Sequence, residues 1–198
     1  MILTRPLVLA SASPRRREIL SRLGLVFTVQ PADLDETRQR GELPAAYVAR
    51  LAEEKARAVA PQSDHERRAV LGADTTVVLD EEVLNKPLDA ADSERMLRAL
   101  RGREHTVYTA VAVALWPEAQ VRVITASTRV RFRAFSDATL RAYVASGEGL
   151  DKAGSYGIQD LGAALVSELF GSYTNVVGLP AAQTIELLEE LGLLAAWP

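Results

Sequence analysis

The chain has no cysteine, which excludes disulfides and thiolate metal sites. Histidine is almost as scarce. His65 and His105 are the only two, too few for a histidine-rich zinc centre. Neither sign of charge dominates: 23 Lys and Arg against 26 Asp and Glu leave a net charge of -3. Composition therefore gives no reason to expect nucleic acid or an anionic membrane as a partner. No basic stripe interleaved with aromatics marks a nucleic-acid face either. Long apolar runs are missing. The run after Arg5, Pro-Leu-Val-Leu-Ala, is too short for a signal-peptide core, and no later segment could span a bilayer. A cytoplasmic protein is the expectation. The glycine-and-lysine loop of P-loop NTPases is absent, as is any Ser-His-Asp set. With no internal repeat and no interdomain linker, residues 1–198 read as one domain.

What is present is an ordinary globular composition, 48% hydrophobic and 25% charged, enough for a substantial core. Leu7 to Ala10 reads as a buried strand. Ser13 is a fit N-cap and Pro14 suits a first helical turn; Ile19, Leu20 and Leu23 form the apolar stripe, and Gly24 ends the helix. A strand over Leu25 to Gln30 and an aperiodic polar loop from Pro31 to Leu43 follow. Pro44 opens a helix to about Ala60, with Tyr47, Val48, Leu51 and Val59 on its apolar face. Ala69 to Leu79 is a strand that turns at Asp80-Glu81-Glu82 into a short return over Val83 to Asn85. Asp89 caps a helix from Ala90 to Arg101. His105 to Trp116 and Gln120 to Phe135 make a long antiparallel pair. Ser136 caps, and Gly147 ends, a helix over Asp137 to Ser146. From Gly147 to Gly178 glycine is frequent, which implies close approach of the backbone to another element or a ligand. A short strand, Ala164 to Phe170, fits within that stretch, and a last helix spans Ala181 to Leu191. Strands alternating with helices around a long hairpin predict an α/β fold with a mixed sheet.

Several polar residues sit awkwardly in these elements. Arg15, Arg16 and Arg17 lie in a first helical turn, whose free N–H groups already make a positive end. An anion would reverse that cost, and a strand-to-helix loop is where phosphates commonly bind; a solvated basic helix start is the alternative. Successive helical residues are about 100° apart, so the three cannot all face one ligand. Lys55 falls on the apolar face of its helix, four residues after Leu51. Spacing alone favours a lysine that snorkels to the surface over one aimed into a cleft. Asp74 lies mid-strand among apolar residues, with Gly72 on the same face. Its burial calls for a cation, a metal or several donors, and Lys86, just past the turn, is one partner on offer. Lys152 and the loop around Glu36 add further charge. Scattered cations with a few carboxylates suit a polyphosphate, a divalent metal and a metal-held water. His105 reads as a strand-start residue without a chemical role.

Taken in order, Ser11-Ala12-Ser13-Pro14-Arg15-Arg16, Glu54-Lys55-Ala56, Gly72-Ala73-Asp74-Thr75, Asn85-Lys86-Pro87, Asp151-Lys152-Ala153-Gly154, Gly157-Ile158-Gln159 and Val177-Gly178-Leu179-Pro180 resemble the Maf family of nucleoside triphosphate pyrophosphatases. The resemblance runs from Leu7 to about Leu188. It implies an elongated α/β fold, a mixed sheet flanked by helices in two lobes around a cleft, related to the inosine triphosphatase architecture. It also implies metal-dependent cleavage of a nucleoside triphosphate to the monophosphate and pyrophosphate; with only hard oxygen ligands on offer, the expected metal is Mg²⁺ or Mn²⁺. The nucleotide is the implied partner, and a homodimer is compatible. Carried over by position, Asp74 matches the family's proton acceptor and would also be a metal ligand. Glu36 aligns with a second metal-binding carboxylate. Ser11, Ser13, Arg16, Lys55, Lys86 and Lys152 fall with the phosphate-binding positions. Arg15, Thr75 and Gln159 match positions that separate the substrate branches, and they look like the branch acting on dTTP and UTP. The branch acting on 7-methyl-GTP tends to carry an aromatic, a glutamine and a glutamate there. The family's link to inhibition of septum formation makes a non-catalytic nucleotide-binding regulator the alternative. The retained Asp74 speaks against it, because pure phosphate binding gains nothing from a carboxylate beside the anion.

Overall fold

The computed structural model describes residues 1–59 and 67–196. His65 and Ala60, the expected end of the second helix, lie outside them. The chain runs β1 (Ile2–Leu3), β2 (Leu7–Leu9), α1 (Pro14–Arg22), β3 (Phe27–Val29), α2 (Pro44–Ala58), β4 (Arg68–Leu79), β5 (Glu82–Leu84), α3 (Ala90–Leu100), β6 (Glu104–Trp116), β7 (Gln120–Phe132), α4 (Asp137–Ser146), β8 (Val166–Phe170), α5 (Tyr173–Val177), α6 (Ala181–Glu190) and β9 (Leu194–Ala196). Short 3₁₀ turns at Ala153–Ser155 and Leu161–Leu165 precede β8. The sheet is mixed and flanked by helices, as the α/β expectation requires. None of the helices among the described residues is long and apolar enough to cross a membrane.

The chain forms two compact units. The first comprises Met1–Asp74, Thr109–Ala126 and Gly178–Pro198. In it β2 is paired in parallel with β3, Leu7 opposite Phe27, and with β4, Leu7 opposite Ala69. Being central, β2 is buried along its whole length, which is why Leu-Val-Leu carries no polar alternation. α1 begins where predicted: the Ser13 side chain accepts from the Arg16 N–H and Pro14 takes the first turn. The strand expected from Leu25 begins only at Phe27. Gly24 adopts φ 71°, and the Leu25 N–H turns back to the Leu20 carbonyl, so these residues close the helix before the chain can extend. β1 and β9 pair antiparallel, Ile2 opposite Ala196. Neither was visible as a strand, because two or three residues carry no period.

The second unit comprises Thr75–Tyr108 and Ser127–Val177. β5 folds back on β4 with Val77 opposite Leu84, and β8 pairs antiparallel with β7. The strand expected from Ala164 starts at Val166, its first residues being taken by the 3₁₀ turn. The second hairpin arm stops at Phe132 rather than Phe135, where the chain turns toward the Ser136 cap. α5 is a further helix inside the glycine-rich stretch. It is held through Asn175, whose amide donates to Val107 O and Thr128 Oγ1, both at 3.0 Å.

His105 packs edge-on against Phe132 and Tyr156 in this unit's core. Its Nε2 lies 2.8 Å from the Tyr156 hydroxyl, while Nδ1 has no hydrogen-bond partner among the described residues. Burial pushes the imidazole pKa down from 6.5 to about 4. The folded chain therefore keeps His105 neutral where the unfolded chain binds a proton. Its contribution is fully present above pH 6.5 and is lost as the pH falls toward the folded value. Unfolding free energy should drop by on the order of 3 kcal/mol across that window through this residue. Denaturant titrations from pH 7 to 4 should show His105→Gln with a correspondingly shallower dependence than the wild type; equal slopes would contradict the assignment.

Candidate active site

The loop between β2 and α1 is organised by its own side chains. Ser11, 8% exposed, accepts from the Ser13 N–H at 3.2 Å and from Arg16 Nη1 at 3.1 Å. Arg16 also donates through Nε to the Gly178 carbonyl at 2.9 Å. The arginine thus reaches back along the loop and ties it to the Gly178 backbone. Burial lowers the Arg16 pKa; Asp74 and Glu36 oppose that shift, and Arg15 adds to it. Arg15 is half-buried and Arg17 exposed, in line with the rotation between successive helical residues.

α2 supplies the next element. Its buried face carries Tyr47, Val48, Leu51, Ala52, Lys55 and Ala56. The reading from spacing, in which Lys55 snorkels outward, is wrong: the residue is 7% exposed. Its ammonium lies 2.7 Å from Asp74 Oδ1 and 2.5 Å from Glu36 Oε1. Asp74 is itself 7% exposed on β4. Its bonded cation comes from α2 and is not Lys86, which is exposed. Gly72 allows this meeting. A Cβ there would stand 2.2 Å from Ala52 O and 2.6 Å from Ala56 N, so the bare backbone of β4 lets α2 seat directly against it. Lys55 then falls beside the residue two positions along the same strand face.

Burial raises the Asp74 pKa. The ammonium of Lys55 and the guanidinium of Arg16 pull it back, and Glu36 adds to the rise. Two acids sharing one ammonium, with a second cation nearby, make a charged cluster of alternating sign.

Glu36 belongs to the loop that showed no sequence period. Local bonds to α2 give it a defined path. The Tyr47 hydroxyl donates to the Glu36 carbonyl at 2.8 Å, and Arg50 Nη2 donates to the Thr37 carbonyl at 3.2 Å. Arg50 Nε also pairs with Glu42 Oε1 at 2.7 Å. The Asp35 carboxylate accepts from the Thr37 N–H at 2.9 Å. From sequence Tyr47 reads only as part of the apolar face, and Arg50 is not singled out, since a helix-surface arginine has commoner uses.

Among the expected residues, Ser11, Ser13, Arg15, Arg16, Glu36, Lys55 and Asp74 all belong to the first unit. Thr75, Lys86, Lys152 and Gln159 belong to the second. There, the Gly154 N–H donates to the Asn85 carbonyl at 3.2 Å, which sets the Lys86 and Lys152 segments side by side. Lys152 is held by Asp151 Oδ1 at 2.6 Å and by the Glu148 carbonyl. Gln159 is half-buried, and its amide makes no hydrogen bond among the described residues.

No group of three or more acids and histidines capable of holding a metal occurs among the described residues. The available donors are the Glu36 and Asp74 carboxylates, already drawn together on Lys55. Hard carboxylate oxygens of this number suit Mg²⁺ or Mn²⁺, which take one or two carboxylates and complete their shell with phosphate oxygens and water.

A family model described as Maf-like protein matches residues 6–191. The dTTP/UTP pyrophosphatase of Shewanella oneidensis is 54% identical over 194 residues, 95% of this chain and 99% of that protein. The proteins of the same name from Myxococcus xanthus and Moorella thermoacetica are 53% and 54% identical, each matching at least 94% of this chain and 95% of the relative. Among solved structures, the Staphylococcus aureus Ham1 protein aligns with a TM-score of 0.39 and 14% identity, over 65% of this chain and 72% of that one.

Proposed function

Since the chain belongs to the Maf family, we propose that it hydrolyses dTTP and UTP to the monophosphate and pyrophosphate, in the cytoplasm. The observation that carries this reading is the buried Asp74 held by Lys55 beside Glu36. A phosphate-binding module would have no use for two acids there. A water oxygen attacks the α-phosphorus, the bond to the bridging oxygen of pyrophosphate breaks, and Asp74 takes the proton released by the water. Ser11, Ser13, Arg15, Arg16, Lys55, Lys86 and Lys152 offer donors and positive charge to the phosphates, so charge moving onto the leaving pyrophosphate is met as it develops. Glu36 and Asp74 would hold the divalent ion, which supplies further neutralisation of the phosphates. Lys55 adds an ammonium beside the two carboxylates, available to a phosphate oxygen.

Specificity is assigned to Arg15, Thr75 and Gln159. A glutamine amide both donates and accepts, so it can match the O4 and N3–H edge that uracil and thymine share. Cytosine reverses that edge and leaves the amide mispaired, which is the kind of mismatch that discriminates strongly. Pyrophosphate release should therefore favour UTP and dTTP over CTP and 7-methyl-GTP by at least about tenfold in kcat/KM. Exhaustive chelation should abolish it. A preference for CTP or 7-methyl-GTP would overturn the branch assignment. UTP binding without any pyrophosphate release would favour the regulatory alternative.

A further inference from the structure

The Gln159 loop is pinned at both ends by two residues that the proposed reaction does not use. The Gly157 N–H donates to the Tyr143 hydroxyl oxygen at 3.1 Å. At the far end, the Leu161 and Gly162 N–H groups donate to Glu148 Oε2 and Oε1 at 2.8 and 2.9 Å. The Tyr143 hydroxyl in turn donates to Glu148 Oε1 at 2.9 Å. One phenol and one carboxylate thus form a connected clamp across the base of the loop. The neck beneath it is closed tightly: a Cβ on Gly162 would lie 2.1 Å from the Gly157 carbonyl oxygen. Tyr143 is buried on α4, and Glu148 follows two residues after the end of that helix. The clamp is therefore anchored in a rigid element, whereas the side chain it presents, Gln159, is itself held by no hydrogen bond among the described residues.

We infer that Glu148 and Tyr143 are positioning residues for base selection, fixing the Gly157–Gly162 backbone so that the Gln159 amide meets a pyrimidine edge in one orientation. The inference rests on the reading of Gln159 as the base-facing residue. An amide discriminates between uracil and cytosine only while its donor and acceptor are held in place. Loosening the backbone lets it shift and rotate to meet the reversed edge, so rejection of cytosine weakens before turnover of UTP does. A carboxylate that merely stabilised the fold would affect both nucleotides alike.

The test compares kcat/KM for UTP and CTP in wild type, Tyr143→Phe, Glu148→Gln, Gln159→Ala and the Tyr143→Phe/Gln159→Ala pair. Amide hydrogen exchange is followed over residues 157–162 in the same preparations. Tyr143→Phe removes only a hydroxyl and keeps the test open if Glu148→Gln fails to fold. Expected are a fall of about tenfold in the UTP-to-CTP ratio for Tyr143→Phe, faster exchange confined to the loop, and no further fall in the double variant beyond Gln159→Ala. If Tyr143→Phe slows both nucleotides equally, or exchange is unchanged, the positioning role is overturned. If Gln159→Ala leaves the ratio intact, the base-facing role fails and the inference falls with it, while a preserved preference for UTP would leave the pyrophosphatase reading standing.

Discussion

Asp74→Asn is expected to lower kcat by about a thousandfold or more while leaving a folded protein. The side chain sits mid-strand at 7% exposure, and its oxygen holds the Lys55 ammonium at 2.7 Å. Asparagine keeps the volume and one acceptor oxygen but cannot take a proton from water. The structural cost is limited for two reasons. Burial already disfavours the charged carboxylate, as its raised pKa shows, so removing the charge also removes a desolvation penalty. Lys55 keeps Glu36 as a partner at 2.5 Å, so no buried cation is left alone. Thermal unfolding and pyrophosphate release measured on one preparation decide the matter. A folded variant turning over at near the wild-type rate would show that Asp74 is neither base nor essential ligand.

The largest effect on stability is expected from Gly72→Ala. The added methyl would stand 2.2 Å from Ala52 O, 2.6 Å from Ala56 N and 3.2 Å from Ala56 Cα, all backbone atoms of α2. Side chains can rotate away from an intruder; a helix backbone has to move as a body. The helix that would move buries Tyr47, Val48, Leu51, Ala52 and Ala56, so its displacement opens the core along that whole face. A loss of about 3 kcal/mol is expected, at the upper end for overpacking. Activity should fall as well, because lifting α2 draws Lys55 off Asp74. Denaturant midpoints for the two proteins give the first number, and initial rates under folding conditions give the second. A variant as stable as wild type would mean that α2 can seat elsewhere without loss.

Those two residues also mark what the sequence could convey. Gly72 and Asp74 were conspicuous on one strand face, and a charge in that setting announces that something must answer it. What answers it was not readable. Lys86, near in sequence, was the offered partner, and Lys55 was assigned to the surface. The error is physical in origin: helical spacing shows which residues share a stripe but not what that stripe is pressed against. Local chemistry was read with more success. Ser13, Asp89 and Ser136 all accept from the N–H three residues on, and Gly147 adopts the left-handed turn that ends its helix. Caps depend on a few neighbouring residues, so they are legible. The pairing of β1 with β9 depends on residues nearly two hundred positions apart and leaves no local trace. Glu148 left no periodic trace either, because its carboxylate is spent on the backbone N–H groups of Leu161 and Gly162 in the following loop. Most site residues were named through the family resemblance, which carries long-range information that spacing does not.

The shared ammonium of Lys55 has one more effect, on the life of the protein before any nucleotide arrives. A buried acid with a second, half-exposed acid beside it would ordinarily be driven toward taking up a proton. Here the chain brings its own cation, tethered to α2 and present from the moment the helix docks on β4. The two carboxylates are thus reconciled within the fold itself, by a group that the chain carries on its own helix.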